Sequence, residues 1–272
     1  MFISEKIIFL ELHKTGCTHI RNLLMDHVGG RLEGKHNQAT ADLLSTRPFV
    51  LGSVRNPWEW YVSLWSYGCD NRGAVFERAT TSVRIRGHGW RTHPLRALRS
   101  LYNDLRRDTE KWRHFYSNPG DASAFDGWLR AVLSTESLRN LPLPYGSRNI
   151  ARFAGLMSYR YVNLFCHKRG IDSVRDFGTL IDHANRNCFI THFIRNESLA
   201  ADLIAALRAC DVAVGMRHEQ AILGASKSNP SSRKLPTASL YTPDTAALVA
   251  EKERLIVERF GYRSPLQKPP GP

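Results

Sequence analysis

Two short, almost continuously apolar runs, Lys6 to Leu12 and Pro48 to Val54, each pass without a spacer into a polar junction and then into a helical pattern. A strand-sized run without apolar/polar alternation suits a strand buried on both faces, the environment of a parallel sheet. After the first run comes His13-Lys14-Thr15-Gly16-Cys17-Thr18, followed by Ile20, Leu23, Leu24 and Val28 at helical spacing up to Gly29-Gly30. After the second comes Arg55-Asn56-Pro57-Trp58-Glu59, in which Asn56 suits an N-cap, Pro57 the first helical position and Glu59 the carboxylate of a capping box. Further along, Tyr159 to Phe165 reads as a strand, and Phe189 to Ile194 ends in Arg195-Asn196-Glu197. Phe125 to Leu133 and the set Leu199, Leu203, Ile204 and Leu207 read as helices, and one last helix runs from Thr242-Pro243-Asp244 to Phe260. Alternating strands and helices predict an α/β fold with a central parallel sheet flanked by helices, whose ligands sit at the carboxyl ends of strands. One domain is expected over residues 1–263, with a basic helical insertion at about 80–119 and a flexible tail at 264–272.

Composition narrows the class. The chain has 272 residues and is 42% hydrophobic, enough for a proper core. It contains no run of about 20 apolar residues. Its first residues do not read as a secretory signal, which predicts a cytoplasmic protein without a transmembrane segment and leaves peripheral membrane contact open. Five scattered cysteines, none in a CxxC pair, argue against a disulfide framework and a zinc site. A formal charge of +13 favours an anionic partner.

Both junctions offer anion chemistry. Lys14-Thr15-Gly16-Cys17-Thr18 combines a cation, hydroxyls and a glycine that permits a tight turn, ahead of a helix N-terminus whose amides and dipole favour negative charge. Ordinary turn chemistry is the competing reading. The lysine precedes the glycine, so this is not a Walker A motif. Arg55 either caps its own turn or, with Ser63 two helical turns on, holds a second anion through its fork of donors.

Taken together, these segments resemble the PAPS-dependent sulfotransferases, PAPS being 3′-phosphoadenosine 5′-phosphosulfate. His13-Lys14-Thr15-Gly16-Cys17-Thr18 is similar to that family's 5′-phosphosulfate loop, and Arg55-Asn56-Pro57 with Ser63 to its 3′-phosphate motif. Ile194-Arg195-Asn196-Glu197-Ser198-Leu199 is similar to a later IRxExL segment, and Phe260-Gly261-Tyr262 to a closing FGY. The resemblance implies a three-layer, P-loop-kinase-like core and transfer of a sulfuryl group from PAPS to a hydroxyl or amine without a metal. It implies that Lys14 contacts the 5′-phosphate and bridging oxygen, that Thr15, Gly16, Cys17 and Thr18 supply loop donors, and that Arg55 and Ser63 hold the 3′-phosphate. His19 stands where an aromatic residue often lies near the adenine. Cys17 and His13 depart from the usual threonine and proline.

A base is required to take the acceptor's proton. His36, between the two phosphate motifs, is the candidate, with His13 and His88 as competitors and Lys14 as the electrophile at the leaving group. Ser232 and Arg233 are expected in a loop that closes over the nucleotide. Arg84, Arg86, His88, Trp90 and Arg91 are expected to line a cleft for a small-molecule or glycan acceptor that includes acidic groups; a solvated helix face is the other reading of that stretch. A P-loop nucleotide kinase or NTPase is an alternative, but Walker A and B features are missing. A basic nucleic-acid-binding protein is another, but no reading helix or aromatic RNA motif is found, so no nucleic-acid partner is expected.

Overall fold

The structure, a computed structural model, describes residues 1–46, 49–81, 108–142, 144–225 and 235–267. In chain order the strands are β1 (Phe2–Ile3), β2 (Ile7–Leu10), β3 (Arg31–Leu32), β4 (Phe49–Val54) and β5 (His192–Arg195). The described helices are α1 (Cys17–His27), α2 (Ala41–Thr46), α3 (Pro57–Cys69), α4 (Ala74–Thr80), α5 (Thr109–Phe115), α6 (Ala122–Leu133), α7 (Leu156–Phe165), α8 (Phe177–Asn187), α9 (Leu199–Ala209), α10 (Met216–Gly224), α11 (Pro243–Lys252) and α12 (Arg254–Phe260). The chain forms two compact units. One comprises Met1–Trp60, Met157–Pro230 and Glu253–Arg263; the other comprises Tyr61–Leu156, Ser231–Lys252 and Ser264–Pro272.

The first unit holds the sheet, in the order β3-β1-β2-β4-β5. β2, β4 and β5 run parallel, whereas β1 pairs antiparallel with β2 and β3. The expected parallel sheet is therefore corrected to a mixed one: Ser4 and Ile7 close a tight turn that returns the chain beside itself, a hairpin geometry available only to antiparallel strands. Alternate residues face opposite sides. Ile7, Phe9, Leu51 and Ile194 pack with Ile20, Leu23 and Leu24 of α1 and with Leu203 and Leu207 of α9. On the other side, Phe193 of β5 meets Tyr161 and Phe165 of α7 and Phe260 of α12. A Cβ on Gly52 would lie 3.1 Å from the Phe165 ring, so β4 and α7 approach closely there and a larger residue would require the ring to give by a few tenths of an ångström.

The second unit is built on aromatic packing. Phe125 meets Trp65 and Tyr241 edge to face. The indole of Trp128 donates to the Tyr116 hydroxyl at 2.6 Å, and that of Trp65 to the Phe115 carbonyl at 2.8 Å, so the buried N–H groups are satisfied. Asp121 caps α6 through the amides of Ser123 and Ala124. Of the expected basic insertion at about 80–119, residues 80–81 and 108–119, which include α5, are described, and residues 82–107 lie outside the described residues. Among the described residues no helix is long and apolar enough to cross a membrane.

Two expectations about single elements are corrected. Tyr159 to Phe165 belongs to a helix, α7, rather than a strand. That helix is buried on nearly every side, so it shows no amphipathic period, and its aromatic content mimics a strand. The single terminal helix is instead two, α11 and α12, interrupted at Glu253 (φ −107°, ψ 24°). The break turns the fully buried Glu253 carboxylate to the start of α7, where it accepts from the amides of Met157 (3.0 Å) and Ser158 (2.7 Å) and from the Ser158 hydroxyl (2.7 Å). Charge-assisted bonds to otherwise orphaned first-turn amides fix both helices at once. Glu253→Ala should therefore lower the urea unfolding free energy by about 3 kcal/mol, and Glu253→Gln by roughly half of that. A loss within the noise for Glu253→Ala would show that the carboxylate is not the anchor.

Candidate functional site

The parallel register of β2 with β4, running from Ile7 opposite Phe49 to Leu10 opposite Gly52, brings the ends of both strands side by side within the first unit. The Thr15 hydroxyl donates to the Leu12 carbonyl at 2.7 Å, which leaves Ser53 of β4 to donate to Thr15 at 2.6 Å. Both hydroxyls are buried. The loop is thus pinned to β4, and Thr15 offers a ligand its backbone rather than its hydroxyl. Lys14 and Gly16 both take left-handed backbone conformations, φ 63° and 78°. For lysine this conformation costs free energy, and it marks the loop as held by its surroundings. Gly16 is also required sterically: an added Cβ would lie 2.7 Å from the Asn196 side-chain oxygen.

Arg55 closes the second junction. One of its amino groups donates to the Lys14 carbonyl at 3.3 Å and the other to the Glu59 carboxylate at 3.1 Å, so the guanidinium stands between the two loops. Asn56 caps α3 as expected, through the Trp58 amide at 3.0 Å. Glu59 does not close the expected capping box: it pairs with Arg55, and Glu197 accepts from the Asn56 amide instead, at 2.7 Å. The other Glu197 oxygen accepts from the Tyr262 hydroxyl at 3.2 Å. A single carboxylate therefore joins three of the segments singled out in the sequence, and Asn196 beside Gly16 joins the fourth.

His36 lies against the first loop. Its ring stacks on His13, with centroids 3.5 Å apart and planes 17° from parallel. Nδ1 is 2.6 Å from the Glu11 carbonyl oxygen, which can only accept; the neutral ring therefore carries its proton on Nδ1 and keeps the lone pair on Nε2. Burial is the main cause that lowers the His36 pKa to about 4. The Glu11 hydrogen bond opposes this, and the charges of Lys35 and Arg160 assist it. Burial, followed by Arg160, His36 and Lys35, lowers His13 to about 2. Both imidazoles are neutral at pH 7. Beneath the loop the wholly buried Glu11 carboxylate has Arg21 at 3.4 Å, and burial together with that carboxylate raises the Cys17 thiol.

Arg160 and Trp60 belong to this neighbourhood and were not expected from the sequence. The Trp60 indole donates to the His13 carbonyl at 2.6 Å and carries the Arg160 guanidinium over its ring at 5.4 Å. No local pattern links residues a hundred positions apart. Of the remaining candidates, Thr18 is half-buried and His19 buried on α1. Ser63 is buried on the part of α3 that belongs to the second unit. Arg84, Arg86, His88, Trp90, Arg91, Ser232 and Arg233 lie outside the described residues. A cavity of about 460 Å³ between β5 and α9, lined by His192, Phe193, Arg195 and Asp202, shares none of the loop residues.

The first unit thus gathers Lys14, Arg55 and Arg160, a helix N-terminus and two neutral imidazoles, a set that can hold an anion and accept a proton. No family model, curated protein or solved structure matches this chain.

The lowered histidine pKa values have a consequence for stability. Each ring is protonated more readily in the unfolded chain, near pH 6.5, than in the folded one, so its contribution falls as the pH drops below 6.5 towards the folded value. Between pH 7 and pH 5 the native chain should lose about 2 kcal/mol more than His36→Gln does in urea unfolding. Parallel losses in the two proteins would mean that His36 titrates normally in the fold.

Proposed function

We propose that the protein is a PAPS-dependent sulfotransferase with a P-loop-kinase-like core, moving a sulfuryl group to a hydroxyl, or an amine, of a carbohydrate or glycolipid acceptor. The observation that carries this reading is the Arg55 hydrogen bond to the Lys14 carbonyl, which brings together the two segments that resemble the family's phosphate motifs. In support, a neutral imidazole with Nε2 as its acceptor stands beside the same loop.

On this reading, the loop amides and Lys14 bind the 5′-phosphosulfate and Arg55 binds the 3′-phosphate. Ser63, Ser232, Arg233 and the residues of the basic insertion keep the roles set out above as proposals. The acceptor oxygen attacks sulfur while His36 Nε2 takes its proton, and the bond from sulfur to the bridging oxygen breaks. The electron pair leaves on that oxygen, where Lys14 offsets the charge. The products are a sulfate ester and adenosine 3′,5′-bisphosphate. A His36 pKa near 4 keeps the base unprotonated well below neutrality, at the cost of a weaker driving force for proton removal.

Two results are expected. Arg55→Ala should weaken binding of adenosine 3′,5′-bisphosphate by about 1.5–3 kcal/mol in calorimetry and leave adenosine 5′-phosphate nearly unaffected; equal weakening of both would make Arg55 structural. In a labelled-PAPS transfer screen over glycans, lipids, phenols and peptides, His36→Ala should cut turnover by roughly 10²–10⁴ with unchanged PAPS affinity. The native rate should hold from pH 7 to pH 5.5 and fall near pH 4. Undiminished turnover in His36→Ala would transfer the role to His13 or His88.

A further inference from the structure

Two of the five scattered cysteines meet in space. Cys166 follows the last residue of α7 and Cys188 follows the last residue of α8, and the two form an antiparallel bridge in the first unit. The His167 amide donates to the Asn187 carbonyl at 2.9 Å and the Phe189 amide to the Phe165 carbonyl at 3.1 Å, so the bonds flank the cysteines rather than join them. Theirs is therefore the narrow, non-hydrogen-bonded kind of antiparallel pair, with Cα atoms about 4.5 Å apart and side chains on one face. A disulfide requires Cα atoms roughly 4.4–6.8 Å apart, so the backbone already satisfies the demand of a cross-link. Both residues are free thiols here and hydrogen-bond to each other.

The two thiols are not equivalent. Cys166 is 1% exposed, whereas Cys188 is only partly buried. The Cys188 sulfur lies 3.4 Å from the Tyr161 hydroxyl. The hydrogen bond from Cys166 pulls the Cys188 thiol below its usual range against the effect of burial, and Tyr161 adds to the pull. The remaining three cysteines have raised thiol pKa values, through burial first in each case. Thiolate character and exposure, the two conditions for a reactive cysteine, coincide at Cys188.

We propose that Cys166 and Cys188 form a reversible redox-modification site that is oxidised by low-molecular-weight disulfides, with Cys188 the attacking sulfur and Cys166 the resolving one. The Cys188 thiolate attacks one sulfur of the oxidant, the sulfur–sulfur bond breaks, and one thiolate leaves. Cys166 then attacks the Cys188 sulfur of the mixed disulfide. The second thiolate leaves and takes the Cys166 proton. Two protein thiols are oxidised to one disulfide, and one external disulfide is reduced to two thiols. The cross-link ties the end of α7 to the segment entering β5. The end of α7 is already joined to the stretch after His36, because the Gln38 side chain donates to the Cys166 carbonyl at 2.6 Å.

The test is to incubate the reduced, full-length protein with oxidised glutathione, denature and alkylate it, and map the peptides. The expected product is a peptide pair linked through Cys166 and Cys188, with Cys17, Cys69 and Cys210 alkylated as free thiols. The oxidised protein should melt at a higher temperature, since the link closes a loop of about twenty residues. Cys166→Ser, which keeps a donor beside Cys188 but cannot resolve the mixed disulfide, should stop at a glutathione adduct on Cys188, formed at least about tenfold faster than any adduct on Cys69 at pH 7. Wild-type mapping decides the question even where that variant fails to fold. The proposal is overturned if the native protein keeps both thiols alkylatable under excess oxidant, if the Cys188 adduct persists without resolving, or if Cys69 reacts first.

Discussion

The parallel pairing of Ile7–Leu10 with Phe49–Val54 is the constraint on which the candidate site depends. It aligns the carboxyl ends of two buried strands, so the chain has to leave the sheet twice at the same edge, once through Lys14 and once through Arg55. The buried contact of Thr15 with Ser53 and the Arg55 bond to the Lys14 carbonyl then fix the exits against each other. Strands of four and six residues suffice because both faces are covered by helices, and the sheet itself carries little of the chemistry.

Electrostatics follow from that geometry. Crowding His13 and His36 into a stack against the loop strips water from both rings and leaves cationic Lys35 and Arg160 as neighbours, so protonation is disfavoured twice over. Neutral imidazoles beside fixed cations are what a site needs to hold an anion and still take up a proton. The free energy withheld from protonation appears as acid sensitivity of the fold.

Much of this was legible in the sequence where the signal is local. The apolar runs, Asn56 as a cap, Pro57 and the glycine of the first loop each act within a few residues, and all occupy the expected places. Helix α7 looks like a strand in the sequence because burial on nearly all sides removes the period by which a helix is recognised. The break at Glu253 was invisible because its cause is the start of α7, almost a hundred residues earlier in the chain. The same holds for Glu197: the segment carrying it stood out, but its role as the carboxylate linking Asn56 to Tyr262 exists only after folding. Glu59 suits a capping box by spacing, yet the stronger attraction of a guanidinium one turn away claims it.

The central claim, that these convergent segments form a site for a nucleotide bearing separate 3′- and 5′-phosphates, is tested most directly by thermal unfolding without magnesium. Adenosine 3′,5′-bisphosphate should raise the melting temperature in proportion to the logarithm of its concentration above Kd, and ATP should raise it little. Stabilisation by magnesium-ATP in preference to the bisphosphate would contradict the account.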